Sequence, residues 1–211
     1  MTDICIIFDL DGTLVDSETL CNQAFVDLLP VLRDPVEILA ERYRGKKLAS
    51  IFIDIEKRIG AKLPSDFEKH YRQRVSELFE SDLKPIPGAI SMLEQSNYAK
   101  CIASSGPPAK IRQALEITGL AQYFGNNIFS SYDIGSWKPE PGIFLHAAKA
   151  MGFSPHQCGV VEDSDVGIKA AIAAQMRVFQ YCRDIPKTSP TAVTRISDLC
   201  QLNAHIKRTW P

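Results

Sequence analysis

The sequence predicts an α/β fold in which a doubly wound parallel sheet is interrupted, after its first strand, by an inserted all-helical cap domain. Two observations predict this fold. After an apolar strand pattern from Ile4 to Phe8, four helical patterns follow one another with no strand between them. Beyond the "LKPIPG" stretch, strands and helices alternate. Because such alternation is typical of parallel sheets covered by helices on both faces, we assign the alternating part to a core and the helical block to an insertion.

The elements follow from the spacing of apolar residues. The predicted cap helices are Glu18–Leu29, Pro35–Tyr43, Lys47–Ile59 and Ser65–Phe79. The alternating part is predicted to contain a helix Ala89–Gln95, a strand Ala99–Ala103, a helix Ala109–Thr118, a strand Asn127–Ser130, a helix Gly142–Met151, a strand Gly159–Val161, a helix Val166–Ala174, a strand Arg177–Tyr181 and a final helix with a short tail. The predicted domains are a core of residues 1–15 and 84–211 and a cap of residues 16–83.

Composition narrows the class of partner. The chain has 211 residues, 45% of them hydrophobic and 23% charged, which is typical of a globular protein in water. A formal net charge of −1 argues against bulk attraction to nucleic acid or to an anionic membrane, so we expect a small-molecule partner. The six cysteines form no C-x-x-C pair, which is typical of reduced thiols. No apolar run reaches the ~18 residues that span a bilayer, and we expect a cytoplasmic protein.

Polar side chains follow the predicted strands at the points where the strands end. They comprise two carboxylate pairs, a hydroxyl pair and a lysine: Asp9 and Asp11, Glu162 and Asp163, Ser104 and Ser105, and Lys138. In open parallel sheets, ligand chemistry gathers outside the carboxyl ends of the strands. These side chains are therefore expected to face one crevice.

Each of these features also has a purely structural interpretation. Asp11 can belong to a simple turn, Ser105 can cap a helix, and Lys138 can be a solvated loop lysine. Their joint occurrence at one sheet edge, in order, favours a functional site. An EF-hand is excluded because the glycine of "DLDG" stands at the fourth loop position and Leu20 at the twelfth.

The motifs resemble those of the haloacid dehalogenase (HAD) superfamily, and specifically of its β-phosphoglucomutase-like branch, which has a Rossmann-like core and a helical cap after the first strand. "FDLDGTLVDS" resembles the nucleophile motif, "IASSG" the phosphate-binding motif, "WKPEPGIF" the lysine motif and "VVEDSDVGIKAA" the acidic metal motif. The stretches "RYRGKKL", "SSGPPAK", "SYDIGSWKP" and "FLHAAKAMG" are similar to those of bacterial sugar-phosphate phosphatases of the 6-phosphogluconate phosphatase type. The resemblance implies a Mg²⁺-dependent phosphatase.

Clustered acids require a counter-charge. Two unit charges ~4 Å apart repel by about 4 kcal/mol at an effective dielectric near 20, and oxygen ligands in a phosphate site favour Mg²⁺. The resemblance implies that Mg²⁺ is held by the Asp9 carboxylate, the Asp11 backbone carbonyl and Asp163, with Glu162 acting through a water. It also implies that Asp9 attacks phosphorus to form an aspartyl-phosphate. Asp11 then protonates the leaving oxygen and later deprotonates water, while Lys138 neutralises Asp9 and phosphate oxygens.

Substrate binding is expected on both domains. The segment from Arg42 to Lys47 lies between two cap helices and is either a solvated loop or a specificity loop that closes over the core. In the second case its cations would meet the part of the substrate distant from the phosphate, such as the carboxylate of 6-phosphogluconate. The expected substrate-binding residues are Leu10, Ser104, Ser105, Arg44, Gly45, Lys46 and Lys47. The expected assembly is a monomer or weak dimer.

Two other activities remain open. A phosphomutase would form the same aspartyl-phosphate and pass the phosphoryl group to a second sugar hydroxyl. A non-catalytic receiver domain also places acids, a hydroxyl and a lysine on a parallel sheet, but its phosphoacceptor follows a middle strand and it has no helical insertion. A dehalogenase is set aside, because a departing halide needs no proton from Asp11.

Overall fold

The computed structural model describes residues 3–182 and 193–210. Within these residues, six strands form one parallel sheet. They are β1 (Cys5–Phe8), β2 (Ala99–Ser104), β3 (Ile128–Ser130), β4 (Cys158–Glu162), β5 (Arg177–Tyr181) and β6 (Val193–Ile196), and their order in space is β3-β2-β1-β4-β5-β6. This order is that of a Rossmann-type doubly wound sheet, so the predicted fold class is confirmed.

Helices cover both faces of the sheet. The core helices are α5 (Ala89–Glu94), α6 (Pro108–Ile117), α7 (Ser131–Ile134), α8 (Gly142–Met151), α9 (Asp165–Ala173) and α10 (Leu202–Thr209). Alternate residues of β1 serve different layers, since Ile6 and Phe8 belong to one apolar cluster whereas Cys5 and Ile7 belong to the other. Burial on both faces explains why β1 is an unbroken apolar run in the sequence.

The helical block lies between β1 and β2, as predicted. Its helices are α1 (Glu18–Leu28), α2 (Val36–Tyr43), α3 (Leu48–Ile59) and α4 (Phe67–Asp82). Aromatic rings join them: Phe25 stacks on Tyr71 with centroids 4.3 Å apart, and Phe52 meets the ring of Phe25 edge-on at 6.2 Å. The insertion therefore has an apolar interior of its own, which we call the cap.

Two linkers connect the cap to the core, and they pair with each other. The Asp16 N–H donates to Lys84 O at 2.9 Å, and the Ile86 N–H donates to Leu14 O at 2.8 Å. The predicted domain boundaries at residues 15/16 and 83/84 fall beside this paired segment and stay a prediction. The predicted core also includes residues 1–2, 183–192 and 211, which lie outside the described residues.

The sequence interpretation missed β6 and the short helix α7. Strand β6 contains Thr194 and Arg195, and its strand conformation depends on parallel pairing with β5. Helix α7 is only one turn long, which is too short for an apolar period to show. All six cysteines lie in the described ranges and carry free thiols. No helix in those ranges is long and apolar enough to cross a membrane.

Candidate active site

A cavity of about 700 Å³ lies between the carboxyl ends of the central strands and the cap. Both domains contribute to its lining. Because β1 sits between β2 and β4, the loops that follow these three strands meet at one edge. The predicted site residues on the lining are Asp9, Asp11, Ser105, Lys138, Glu162 and Asp163 from the core, and Arg44, Gly45, Lys46 and Lys47 from the cap.

Asp9 is fixed by the sheet and by a buried lysine. Its backbone N–H donates to Val161 O of β4 at 3.0 Å. Lys138 contacts Asp9 Oδ1 through Nζ and also donates to Glu162 Oε1 at 2.7 Å. Burial lowers the pKa of Lys138, but the two carboxylates outweigh it and raise that pKa above its ordinary value. Lys138 is therefore a buried cation between two acids, and the solvated-loop interpretation is wrong for it.

Hydrogen bonds from Ser164 and from the Thr13 side chain hold Glu162 and Asp163 in place. The Ser164 N–H and hydroxyl donate to Glu162 Oε2 at 2.7 and 2.9 Å, and the Thr13 hydroxyl donates to Asp163 Oδ1 at 3.1 Å. Gly12 has φ +81°, and a Cβ on it would lie 2.6 Å from Asp163 Oδ2. The Gly-Thr turn after β1 thus makes room for Asp163 and orients it.

The residues fit a divalent cation. One oxygen from each of Asp9, Glu162 and Asp163 lies within 4.8 Å of the others. Burial raises the pKa of Asp9 to about 8, with Glu162 adding to this effect and Lys138 opposing it. Burial and the neighbouring carboxylates also raise the pKa of Asp163. Both shifts come first from burial of the carboxylates and then from repulsion by neighbouring acids, so a bound cation would stabilise the ionised forms. Hard oxygen donors are the ligands that Mg²⁺ prefers.

Asp11 has different partners from Asp9. Ser17 Oγ and Lys110 Nζ both donate to Asp11 Oδ1, the latter at 2.7 Å. Burial raises the pKa of Asp11, but Lys110 and the two hydrogen bonds outweigh it and hold that pKa below its ordinary value. The two aspartates after β1 therefore have opposite electrostatic environments.

The two serines after β2 also differ. Ser105 lines the cavity together with Gly106. Ser104 is buried away from the lining, and its Oγ accepts a hydrogen bond from the Gly106 N–H at 3.0 Å, which shapes the loop. Leu10 is likewise fully buried. The side chains of Ser104 and Leu10 do not reach the cavity, so the predicted substrate contacts of these two residues would have to come from their backbone groups.

The cap loop from Arg44 to Lys47 faces the core. Gly45 has φ +69°, and a Cβ on it would lie 2.7 Å from Val166 Cγ2 at the start of α9. Arg44 Nε is paired with Glu18 Oε2 at 2.9 Å and lies 3.7 Å from Asp163 Oδ2. Lys47 Nζ lies 4.8 Å from the centre of the Trp137 ring of the core. The segment is therefore a cap–core contact and not a freely solvated loop.

Sequence reasoning missed four residues of the site: Thr13 as a partner of Asp163, Ser17 and Lys110 as partners of Asp11, and Trp137 as the ring beneath Lys47. Lys110 lies in the first turn of α6, directly after the "SSG" loop. This position, at the start of a helix beside the predicted acidic site, was the sequence signal from which Lys110 could have been predicted.

Comparison with known proteins identifies the family. The sequence model of haloacid dehalogenase-like hydrolases matches residues 5–175. The 6-phosphogluconate phosphatase of Escherichia coli K12 is 37% identical over 204 residues, which cover 93% of this chain and 91% of that protein. A haloacid dehalogenase-like protein of unknown function from Agrobacterium tumefaciens superposes with a TM-score of 0.81 at 33% identity, over 97% of both chains.

A second similar solved structure is a β-phosphoglucomutase. The β-phosphoglucomutase of Clostridium difficile superposes with a TM-score of 0.80 at 21% identity, over 100% of this chain and 97% of that one. The fold that the motifs predict, a core with a cap inserted after the first strand, is thus confirmed. The extent of the sequence match and the shared fold lead to one conclusion: the chain belongs to the haloacid dehalogenase-like hydrolase family.

Proposed function

We propose that this phosphatase hydrolyses a small phosphorylated metabolite, a sugar phosphate or sugar-acid phosphate such as 6-phosphogluconate, with Mg²⁺ and through an aspartyl-phosphate. One observation carries the proposal. Asp9 lies at the sheet edge on the cavity wall, in contact with Lys138 and within the same acidic cluster as Glu162 and Asp163. A fixed carboxylate with a buried cation beside it suits attack on a phosphate dianion.

The first half of the reaction transfers the phosphoryl group to the protein. A carboxylate oxygen of Asp9 attacks phosphorus, and the bond between phosphorus and the substrate oxygen breaks. Lys110 and two hydrogen bonds keep Asp11 ionised in the free protein, so it takes up a proton as the substrate binds. Asp11 then gives this proton to the departing oxygen, so that an alcohol leaves rather than an alkoxide. Lys138 neutralises negative charge on Asp9 and on the phosphoryl oxygens, while the Ser105–Gly106 loop lies on the cavity wall where further oxygens can be bound.

The second half returns Asp9 to its starting state. Asp11 takes a proton from a water, the water oxygen attacks phosphorus, and the bond between phosphorus and Asp9 breaks to release inorganic phosphate. Asp9, Asp163 and Glu162 would hold Mg²⁺ together with the Asp11 carbonyl. When bound, Mg²⁺ supplies positive charge that balances the acids and the phosphoryl oxygens.

The substrate class rests on the cap side of the cavity. In the part of the chain that the structure describes, Lys46 and Lys47 form no salt bridge and face the rings of Tyr43 and Trp137. Arg44, by contrast, is already paired with Glu18. Two lysines without acidic partners suit a carboxylate or a hydroxyl-rich tail. A relative that is 37% identical bears the name 6-phosphogluconate phosphatase, which supports the same class.

The test is phosphate release from a panel of phosphorylated metabolites with Mg²⁺, for the natural protein and for Asp9→Asn. We expect hydrolysis of sugar and sugar-acid phosphates, and a loss of more than about 10³-fold in Asp9→Asn, because the amide cannot attack phosphorus. Excess chelator should abolish turnover in the natural protein. Asp133→Asn, at an exposed position of α7, is the matched control and should retain full activity.

The outcomes separate the alternatives. Acid quenching during turnover, followed by peptide mass spectrometry, should locate a phosphoryl group on the peptide that contains Asp9. Undiminished turnover in Asp9→Asn would contradict the mechanism. An isomeric sugar phosphate formed in place of inorganic phosphate would show a phosphomutase. A receiver domain is disfavoured by the structure, because flavodoxin-like receivers have the strand order 2-1-3-4-5, which differs from the order found here.

A further inference from the structure

Lys110 is a half-buried cation that the motifs do not assign to any step. It lies in the first turn of α6 and lines the cavity, and its side chain is 22% exposed. Its salt bridge within the described residues is with Asp11, which is 99 positions away in the chain. An acidic partner stabilises the charged form of a half-buried lysine, so the pair is a specific feature of this site.

Three contacts fix the Lys110 side chain. A Cβ built on Gly106 would lie 3.6 Å from Lys110 Cδ, so the aliphatic stem passes over the "SSG" loop. The ammonium lies 5.6 Å from the centre of the Phe79 ring, which belongs to the cap helix α4 and is fully buried. Nζ then donates to Asp11 Oδ1 at 2.7 Å. Packing thus places the ammonium before any substrate is bound.

Both hydrogen bonds to Asp11 fall on the same oxygen. Ser17 Oγ and Lys110 Nζ donate to Oδ1, whereas Oδ2 has no hydrogen-bond partner in residues 3–182 and 193–210. Two donors on one oxygen restrict rotation of the carboxylate and leave the other oxygen available. Asp9 is held differently, because its cation, Lys138, also donates to Glu162.

We propose that Lys110 is a positioning residue that holds Oδ1 of Asp11 so that Oδ2 meets the oxygen of the leaving group. The proposal rests on the proposed function, which assigns proton transfer to Asp11. A structural lysine would affect all substrates alike. A lysine that acts through Asp11 matters most where the leaving oxygen needs a proton, because proton transfer depends strongly on the placement of the acid.

The experiment compares Lys110→Met with Lys110→Arg and with Arg112→Met. Methionine keeps an unbranched apolar side chain of similar reach but removes the charge, arginine restores a donor, and Arg112 is an exposed residue of the same helix. Formation of the aspartyl-phosphate is measured under single-turnover conditions with a sugar phosphate and with an activated aryl phosphate. Circular dichroism and thermal midpoints report folding.

With the sugar phosphate, we expect Lys110→Met to slow formation of the aspartyl-phosphate by about 10²-fold, the loss that a 1 Å misplacement of a catalytic group can cause. The aryl phosphate should be slowed much less, because its leaving group needs little protonation. Lys110→Arg should recover part of the loss, and Arg112→Met should behave as the natural protein. If Lys110→Met does not fold, Lys110→Gln replaces it and should show the same selectivity for the poor leaving group.

The Asp11→Asn variant separates this inference from the proposed function. In that background, Lys110→Met should cause little further loss with the sugar phosphate, because residues that act as a unit are not additive. If Asp11→Asn is selective for poor leaving groups and Lys110→Met is not, the role of Lys110 is overturned alone. If Asp11→Asn slows both substrates equally, the assignment of proton transfer to Asp11 fails, and this inference fails with it.

Discussion

Gly167 lies in the first turn of α9, against the Glu162 side chain. A Cβ at this position would come within 1.8 Å of Glu162 Oε1 and 2.0 Å of its Cδ, a distance that no packing tolerates. Glu162 cannot move without losing its hydrogen bonds to Ser164 and Lys138. The lack of a side chain at Gly167 therefore leaves the space that Glu162, a predicted metal ligand, occupies.

We predict that Gly167→Ala lowers both stability and catalytic activity. Alanine favours a helix over glycine by about 1 kcal/mol, which offsets part of the steric cost. The displaced Glu162 should lower kcat/KM by about 10²-fold and raise the Mg²⁺ concentration needed for half-maximal activity. The measurement is a Mg²⁺ titration of phosphate release, together with a thermal melt. Lys169→Ala, on the exposed side of α9, is the control. Unchanged Mg²⁺ dependence in Gly167→Ala would contradict the role of Glu162.

At the scale of the element, Asp54 of α3 connects the two helices that flank the cap loop. Arg42 of α2 donates to both carboxylate oxygens of Asp54, at 2.8 and 2.9 Å, and the Tyr43 hydroxyl donates at 2.8 Å. The hydrogen bonds from Arg42 hold the pKa of Asp54 below its ordinary value, although partial burial opposes them. The corner between α2 and α3 is thus stabilised by an ionised carboxylate.

We predict a pH-dependent stability difference between the natural protein and Asp54→Asn. A carboxyl group whose pKa is lowered on folding stabilises the folded state above its unfolded pKa of about 3.9 and loses that effect as the pH falls towards the folded value. The natural protein should therefore be more resistant to urea than Asp54→Asn at pH 7, and the difference should shrink by about pH 3.5. Asp66→Asn, at an exposed site, is the control. A difference that is the same at both pH values would refute the ionic explanation.

At the scale of the whole molecule, two cap cations rest on two core aromatic rings across the cavity. Lys47 Nζ lies 4.8 Å from the Trp137 ring centre, and the Arg72 guanidinium lies 5.7 Å from that of Tyr132. Arg72 also donates to the Tyr132 hydroxyl at 3.1 Å, and the two rings meet edge-on at 5.7 Å. These contacts join the cap to the core beside the cavity.

We predict that Lys47 and Trp137 act as a pair in catalysis. An exposed cation–π contact contributes about 0.5–1 kcal/mol, so Lys47→Met and Trp137→Leu should each lower kcat/KM for a small aryl phosphate by about 2- to 5-fold. The double variant should lose no more than either single variant, because each change removes the same contact. Lys57→Met, on the exposed side of α3, should have no effect. If the fold-losses in kcat/KM of the two single variants multiply in the double variant, the two residues act independently.

The buried strand β1 and the helical cap could both be predicted from the sequence alone. The buried strand β1 shows as an apolar run, and the cap shows as four consecutive helical periods, because burial on a strand or helix face fixes a local spacing of apolar residues. The acids of the site were predicted for a related reason. They stand at the ends of two strands, with Asp9 and Asp11 after β1 and Glu162 and Asp163 at the end of β4, and parallel strands bring their carboxyl ends to one edge.

Tertiary structure decided what depends on partners that are distant in the chain. Strand β6 has a partly polar sequence and exists because β5 offers free hydrogen-bonding groups. Ser105 lines the cavity whereas Ser104 is buried. This difference depends on the conformation of the loop after β2, in which the Gly106 N–H donates to Ser104 Oγ. The sequence by itself determined the α/β fold and the acidic edge of the sheet. The motif resemblance already implied Lys138 beside Asp9. Only the folded chain assigned Lys110 to Asp11 and a second partner, Glu162, to Lys138, because spacing in a sequence carries no information on which lysine meets which carboxylate once the helices pack.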